Sequence, residues 1–465
     1  MIPSTKYFII FTVSLALFMD VLDTNIINTA IPAMSHSLHV NPVDLKIALI
    51  SYLLSLAIFI PISGWTADKY GTKSIFIGSL GLFTLSSLWC GYVHTLPELV
   101  IARSIQGVGG AFMISLGRLI LARTFKRHEL VEAMNLMIIV VSVAVMLGPF
   151  IGGVITDHWS WPWIFWVNIP VGIFAILLTA YNLEDVAPRK APPFDFLGFI
   201  LFGGSLAILC FALSELSESN VNLQLILLML TISIMMLLAY AIHAKYQPYP
   251  VMKTELFRIR TFKISVFGNL CARLGFGGMP FLLPLLQQVG LGFSAQLSGL
   301  LLVPMAFGII LSKLVTLQIL RLIGYKRFLL INTLLVGIGL WAFQTVTAQT
   351  SLYTIASLTF IFGVLIAAQY TGMNSLAFSE ITADELSAST SITSTAQVLA
   401  QSLGIATAAI LLRYHSSHLQ QPLILTPNVF HQAFFSMGIL TFLSALIFTG
   451  LKIDDGKQML TMPQE

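Results

Sequence analysis

The sequence predicts an all-α membrane protein of 14 transmembrane helices, arranged as two bundles of six with two further helices inserted between them. Three observations carry that expectation. Hydrophobic residues make up 57% of the 465 residues and charged residues 9%, against roughly a quarter charged in an ordinary soluble domain, so there is too little charge to clothe a water-facing surface. Apolar runs of about 20 residues, long enough to cross a bilayer, recur along the whole chain. These runs are apolar all round, which excludes a transmembrane β-barrel built from alternating strands of about ten residues.

In order, the spans fall near residues 7–31, 44–63, 74–93, 97–121, 134–156 and 162–182. The first run is about 25 residues long, contains Asp20 and Asp23 and lacks a small-residue cleavage site, so it reads as a retained helix. A charged linker with Glu184, Asp185, Pro188, Arg189 and Lys190 follows. Spans near 195–214 and 223–243 come next, and then a basic stretch with Lys245, Lys253, Arg258, Arg260 and Lys263. Six more lie near 264–287, 296–319, 328–347, 352–375, 394–412 and 430–451. The expected domains are therefore 1–185, the first bundle; 186–262, the two linker helices with the basic loop; and 263–465, the second bundle.

An even number of spans puts both termini on one side, and the Lys/Arg bias names that side as the cytoplasm. With the termini inside, 18 of the basic residues outside spans, Arg127 among them, fall in cytoplasmic loops and only Lys46 and Arg413 fall outside. A missed helix would invert every later loop, so the split argues for the span count. Matching turns between the second and third spans of each bundle, Asp68 to Lys73 and Arg321 to Arg327, point to an internal duplication.

Cys90, Cys210 and Cys271 lie in apolar segments without metal-ligand or CxxC spacing, so neither a disulfide framework nor a metal site is expected. No phosphate-binding or dinucleotide motif is present. No cofactor, nucleic-acid partner or enzymatic chemistry is expected. The partners are the lipid bilayer, protons and a small-molecule substrate, with a monomer as the expected state and a periplasmic partner left open.

Chemistry concentrates in a few segments. The turn Gly64-Trp65-Thr66-Ala67-Asp68-Lys69-Tyr70-Gly71-Thr72-Lys73 places a glycine where a side chain would obstruct, and an acid that can meet basic groups or a helix N-terminus. In the fourth span, Arg103 of Arg103-Ser104-Ile105-Gln106-Gly107-Val108-Gly109-Gly110-Ala111 is a guanidinium that must face a partner or water. Gly107, Gly109 and Gly110 are small enough for a neighbouring helix to approach. Gly148-Pro149-Phe150-Ile151-Gly152-Gly153 in the fifth span combines a lost helix hydrogen bond with close-packing glycines.

The first span carries Leu22-Asp23-Thr24-Asn25-Ile26-Ile27-Asn28-Thr29-Ala30-Ile31-Pro32. Withdrawal from water disfavours the charged form of a carboxylate, the property a proton-coupling group uses. At about 1.5 Å per residue, Asp23 lies roughly 12 Å below the outer end of its span and Arg103 roughly 9 Å below that of its own, so the two are within reach. Asp20, three residues earlier, shares the face of Asp23 and reads either as its coupled partner or as a carboxylate held by hydrogen bonds with no transport role. The last six spans contain no carboxylate, so a proton carried by a side chain inside the membrane would ride on the first span. In the second bundle Arg273 and Lys313 are mid-span cations without a local acid, and Asn374 and Gln397 are polar groups in apolar helices; with Asn28 and Gln106, the residues Arg273, Asn374 and Gln397 are candidates to line a substrate cavity. The cationic charge there favours weakly acidic or neutral substrates over permanent cations.

These four motifs resemble, in turn, the G-x-x-x-D-R/K-x-G-R/K-R/K turn of the major facilitator superfamily, its R-x-x-Q-G-x-G-x-A pattern, the G-P-x-x-G-G core associated with its exporters, and the L-D-x-T-I/V-I/V-N-x-A-I/L-P motif of its 14-helix drug:proton antiporter branch. Thr72, Ala144 and Asn25 depart from the family patterns. Two further stretches, Trp161 to Gly172 and Leu256 to Phe262, resemble blocks of the same branch. The resemblance implies the major facilitator fold in a bacterial inner membrane, with the turn at Gly64, Asp68, Lys69, Gly71 and Lys73 as a cytoplasmic gate. It also implies Gly148, Pro149, Gly152 and Gly153 as the exporter element, and Asp23, Asp20 and Arg103 as the proton-coupling groups. The expected activity is proton-driven multidrug efflux by alternating access; the alternative is a dedicated transporter of one metabolite such as a siderophore or peptide.

Overall fold

The computed structural model describes residues 4–184, 191–217, 221–417 and 424–459. Asp185, Pro188, Arg189 and Lys190 of the charged linker, and the side chain of Arg127, lie outside the described residues. Among those described there are helices and no strands, as expected where lipid offers the backbone no hydrogen bonds and each helix satisfies its own. Thirteen helical runs are long and apolar enough to cross a membrane. One of them, Ala295–Thr345, is 51 residues long, about twice what a bilayer requires. It breaks at Gly324, where φ is 73° and ψ 165°. Its two arms correspond to the separate spans expected near 296–319 and 328–347, so the one long run holds the fourteenth span.

The chain divides into two compact units, residues 1–196 with 294–299, and residues 197–293 with 300–465. The first unit holds α1 (Ser4–Ser37), α2 (Lys46–Phe59), α3 (Ser63–Tyr70), α4 (Thr72–Cys90), α5 (Leu96–Thr124), α6 (Arg127–His158), the single turn α7 (Trp163–Trp166) and α8 (Asn168–Asn182). Helix α1 is its hub and packs on α5, α6 and α8. The approach to α6 is close because Gly148 faces Asn25, and Gly152 faces the carbonyl of Ile26 and the side chain of Thr29. Thr29 Oγ1 donates to the carbonyl of Pro149 at 3.3 Å across this contact. At the end of α6, the Asp157 carboxylate accepts the backbone N–H groups of Ala295 and Gln296, at 3.2 and 2.7 Å, within the 294–299 segment of the same unit.

The second unit holds α9 (Phe196–Glu215), whose Phe196 belongs to the first unit, α10 (Leu223–Tyr246), α11 (Arg260–Phe276), α12 (Met279–Leu285), the long α13 (Ala295–Ala342), whose residues 295–299 belong to the first unit, α14 (Leu352–Ala377), α15 (Leu386–Ser417) and α16 (Pro427–Thr449). Here α11 is the hub, packed on α14, α15 and α16. Leu320, Tyr325, Phe328, Leu329, Met373, Leu376 and Phe448 form a buried cluster around the Gly324 break. Leu227, Leu228, Ile234, Met235 and Leu238 of α10 stand exposed. Such a continuous apolar face suits contact with lipid tails.

Candidate functional site: a buried charge network in the first unit

Five helices and one helical turn converge on Asp23. Arg103 and Gln106 are three residues apart on α5 and so share a face. Arg103 Nη1 donates to Asp23 Oδ2 at 2.5 Å and to Gln106 Oε1 at 2.6 Å. Gln106 Nε2 donates to Asp23 Oδ1 at 3.0 Å and to Ser87 Oγ of α4 at 2.7 Å. Asn168 Nδ2, at the start of α8, reaches the same Asp23 Oδ1 at 2.8 Å. The guanidinium lies over the rings of Tyr52 of α2 and Phe165 of α7, 4.1 and 5.7 Å from their centroids. Asp23 is 0% and Arg103 1% exposed.

This arrangement satisfies both oxygens of Asp23, which is what allows a charge to persist away from water. Arg103 is less well served, since its Nε is buried without a hydrogen-bond partner. Its contact with Asp23 therefore goes through Nη1 alone and is not a two-pronged clasp. Losing one member of such a buried pair typically costs about 3–5 kcal/mol, because the other charge is stranded.

Asp20 sits one turn earlier on α1 and takes a different partner: Tyr52 Oη donates to its Oδ1 at 2.5 Å. A methyl group added at Gly110 would collide with both Asp20 and Tyr52, so that glycine makes room for the pair. Gly107 faces the backbone of Tyr52 and Gly109 faces Ser79 and Phe83. Neither carboxylate faces solvent here. Asn28 is also buried, with its amide turned back onto the carbonyls of Thr24 and Asn25 at 3.3 and 3.4 Å.

At the far end of α5, Arg123 Nη2 meets Asp68 Oδ1 at 2.5 Å and its Nη1 donates to Thr72 Oγ1 at 2.7 Å. The threonine at the position that is usually basic thus supplies an acceptor to the same guanidinium. Gly71 has φ 91°, in the region that favours glycine. Lys69 lies over the rings of Trp65 and Tyr70, and Lys73 Nζ reaches the carbonyl of Ala180 at 2.9 Å. Gly64 is different: a methyl group there would meet nothing within 4 Å. Gly153, the last residue of the exporter motif, faces Ala295 and Gln296.

In the second unit, the structure brings together Arg273, Gln397 and Asn374. Arg273 Nη1 donates to the carbonyl of Gln397 at 3.2 Å and to Gln401 Oε1 at 3.1 Å, and Gln397 Nε2 donates to Asn374 Oδ1 at 2.7 Å. Lys313 is exposed and stands apart. Sequence reasoning missed Tyr52, Ser87 and Asn168, and also passed over Arg118, an exposed α5 residue with no hydrogen bond or ion pair among the described residues. Asn168 carried a signal, since it lies inside the Trp161 to Gly172 block; Tyr52 and Ser87 carried none. No cluster of His, Cys, Asp or Glu able to hold a metal occurs among the described residues.

Comparison with known proteins agrees with this picture. The chain is 33% identical over 460 residues to an Enterobacter protein named "Putative multidrug resistance protein MdtD", covering 99% of this chain and 98% of that one. A protein of the same name from Escherichia fergusonii is 33% identical over 454 residues, 97% and 96% of the two chains. A solved structure of a D-xylose-proton symporter superposes with a TM-score of 0.69 at 15% identity, over 97% of this chain and 99% of that one. At that identity the likeness speaks for the fold. The family model of the Major Facilitator Superfamily matches residues 13–405, and this multi-pass membrane protein belongs to that superfamily of transporters.

Proposed function

We propose that the protein exports small lipophilic or amphipathic compounds in exchange for protons by alternating access, in a bacterial inner membrane with both termini in the cytoplasm. The observation that carries this reading is the isolation of Asp23. It is fully buried and held by Arg103, Gln106 and Asn168. The predicted spans of the second bundle offer no carboxylate for the same work. The names of the relatives support multidrug efflux, and the Lys/Arg distribution supports the orientation.

The network supplies a physical link between protonation and movement. A proton on Asp23 removes the charge that Arg103 answers, and an uncompensated buried guanidinium is too costly to stay where it is. Helices α1 and α5 must then shift, or Arg103 must find water or another partner. The Asp68–Arg123–Thr72 set joins α3, α4 and α5 at the predicted cytoplasmic end, where it serves as the latch that α5 pulls on. Asp20 is the second proton group, held ready by Tyr52.

The test is proton flux in proteoliposomes under an imposed pH gradient, with ethidium, tetraphenylphosphonium and 1-naphthoate added in turn, comparing the parent with Asp23→Asn. Compound-triggered flux that disappears in Asp23→Asn supports exchange through Asp23. Equal flux in both rejects that residue as the coupling group. No flux with any compound favours a transporter of one dedicated metabolite.

A further inference from the structure

Helix α11 stops at Phe276, and the path resumes as α12 only after Gly277 and Gly278. The interruption lies within the apolar run Arg260–Gly290. Gly277 and Gly278 press against Gly404 of α15, an approach that leaves no room for side chains. Backbone irregularity within a membrane is tolerated only where protein or a cavity satisfies it. Here Gln401 Nε2 donates to the carbonyl of Gly277 at 2.7 Å. Interrupted helices of this kind commonly flank binding sites in transporters.

Arg273 occupies the last turn before the interruption. The negative end of the α11 dipole and the Tyr370 ring, 4.0 Å from the guanidinium carbon, favour its positive charge without an acid. Its hydrogen bonds go to two neutral oxygens, those of Gln397 and Gln401. Nε is buried with no partner, and Nη2 makes no hydrogen bond among the described residues. Asn374 accepts from Gln397 through Oδ1, while its own Nδ2 makes no hydrogen bond among the described residues. Against one unused amide acceptor, Gln397 Oε1, and the Tyr370 hydroxyl, the spare N–H groups of Arg273 and Asn374 predominate among the described residues. A guanidinium with free N–H groups matches a carboxylate in charge and in planar geometry.

We propose that Arg273 and Asn374 form a carboxylate-binding site, with Gln397, Gln401 and Tyr370 holding them in place, and that the transported substrates are lipophilic organic acids. The second statement rests on the transport reading above; the first stands without it. An organic anion would seat its carboxylate on Arg273 and direct its apolar body away from the polar cluster.

The test is equilibrium dialysis with the purified full chain in lipid nanodiscs, using three probes of one shape: 1-naphthoate, 1-naphthylmethanol and 1-naphthylmethylammonium. The expected result is that naphthoate binds about tenfold or more tighter than the other two, the scale of one charge-assisted contact. Arg273→Gln should erase that preference and Arg273→Lys should keep part of it. Equal binding of the three probes by the parent, or a folded Arg273→Gln protein that retains the preference, overturns the site. Should Arg273→Gln not fold, Asn374→Asp decides, since an acid introduced into the cluster should repel naphthoate; unchanged naphthoate affinity overturns the site as well. Binding needs no proton gradient, so selective binding without flux would refute proton-coupled export of the bound acid and leave the site standing, whereas proton-coupled flux without anion selectivity would do the reverse.

Discussion

In the first unit the membrane-embedded guanidinium of Arg103 meets the carboxylate of Asp23 at 2.5 Å, inside a network that also binds Gln106, Ser87 and Asn168. In the second unit the cation before the α11 interruption, Arg273, meets only amide and carbonyl oxygens and an aromatic ring. A second buried polar network there is neutral throughout: Asn332 Nδ2 donates to Gln369 Oε1, and Gln369 Nε2 to Thr333 Oγ1, each at 2.8 Å. The two units share a plan, with α1 and α11 as hubs and a positive-φ glycine, Gly71 or Gly324, at matching turns. What separates them is where acid was placed. A network of amides and hydroxyls can hold helices together but has no group that titrates near neutral pH, whereas one containing a carboxylate has a proton-binding group.

That contrast can be broken experimentally, and the largest effect belongs to Asp23→Asn. It strands Arg103, so a loss of stability of about 3–5 kcal/mol is expected along with compound-triggered proton flux at background. Thermal unfolding in nanodiscs and flux in proteoliposomes measure the two separately. Adding Arg103→Gln to Asp23→Asn should recover much of the stability and none of the flux, because a neutral pair no longer carries a buried charge. Recovery of flux would show that the acid is structural.

The matching change in the second unit is Gln369→Leu. It leaves Asn332 with an unmet donor and should cost about 1–3 kcal/mol while the coupling of flux to compound persists. A loss of coupling as complete as that of Asp23→Asn would erase the proposed division between units. Of similar size, Gly110→Ala should separate Tyr52 from Asp20 and cost about 1–3 kcal/mol by overpacking. If Asp20 is the second proton group, that variant also lowers flux, whereas Gly109→Ala, which crowds Phe83 instead, lowers stability alone.

The smallest effects lie in the cytoplasmic turn. Gly71→Ala places a side chain at φ 91° and should cost about 1–2 kcal/mol. Gly64→Ala meets open space and should stay within about 0.5 kcal/mol. Thermal unfolding of the two variants side by side tests whether the two glycines of one motif serve different ends.

The number and placement of the helices were legible because lipid imposes length and the Lys/Arg bias punishes every miscount. At Gly324 the boundary that the Arg321 to Arg327 turn marks in the sequence is less visible in the structure, where two spans run on as one across the kink. Asp23 and Arg103 were legible as a pair because the rise per residue alone sets their depths. Their neighbours were not, since Tyr52, Ser87 and Asn168 are ordinary residue types that become functional candidates only when α2, α4 and α8 converge. Asn28 shows the opposite case. An amide in an apolar helix reads as a cavity group, but its hydrogen bonds return to its own backbone, an option open to short polar side chains and invisible in a string of letters.

The solitary charge of Arg273 has an electrical meaning. Were it balanced by a fixed acid, as Arg103 is, its binding place would be indifferent to the sign of the cargo. Lacking one, the proposed site would select cargo of negative charge, and a proton entering as an anion leaves would move charge in the same sense twice. A one-for-one exchange of that kind carries two elementary charges inward, and each is worth about 2.3 kcal/mol per 100 mV of membrane potential. Voltage alone would then drive the cycle where the pH difference is zero, while a monovalent cation exchanged for a proton would gain nothing from it.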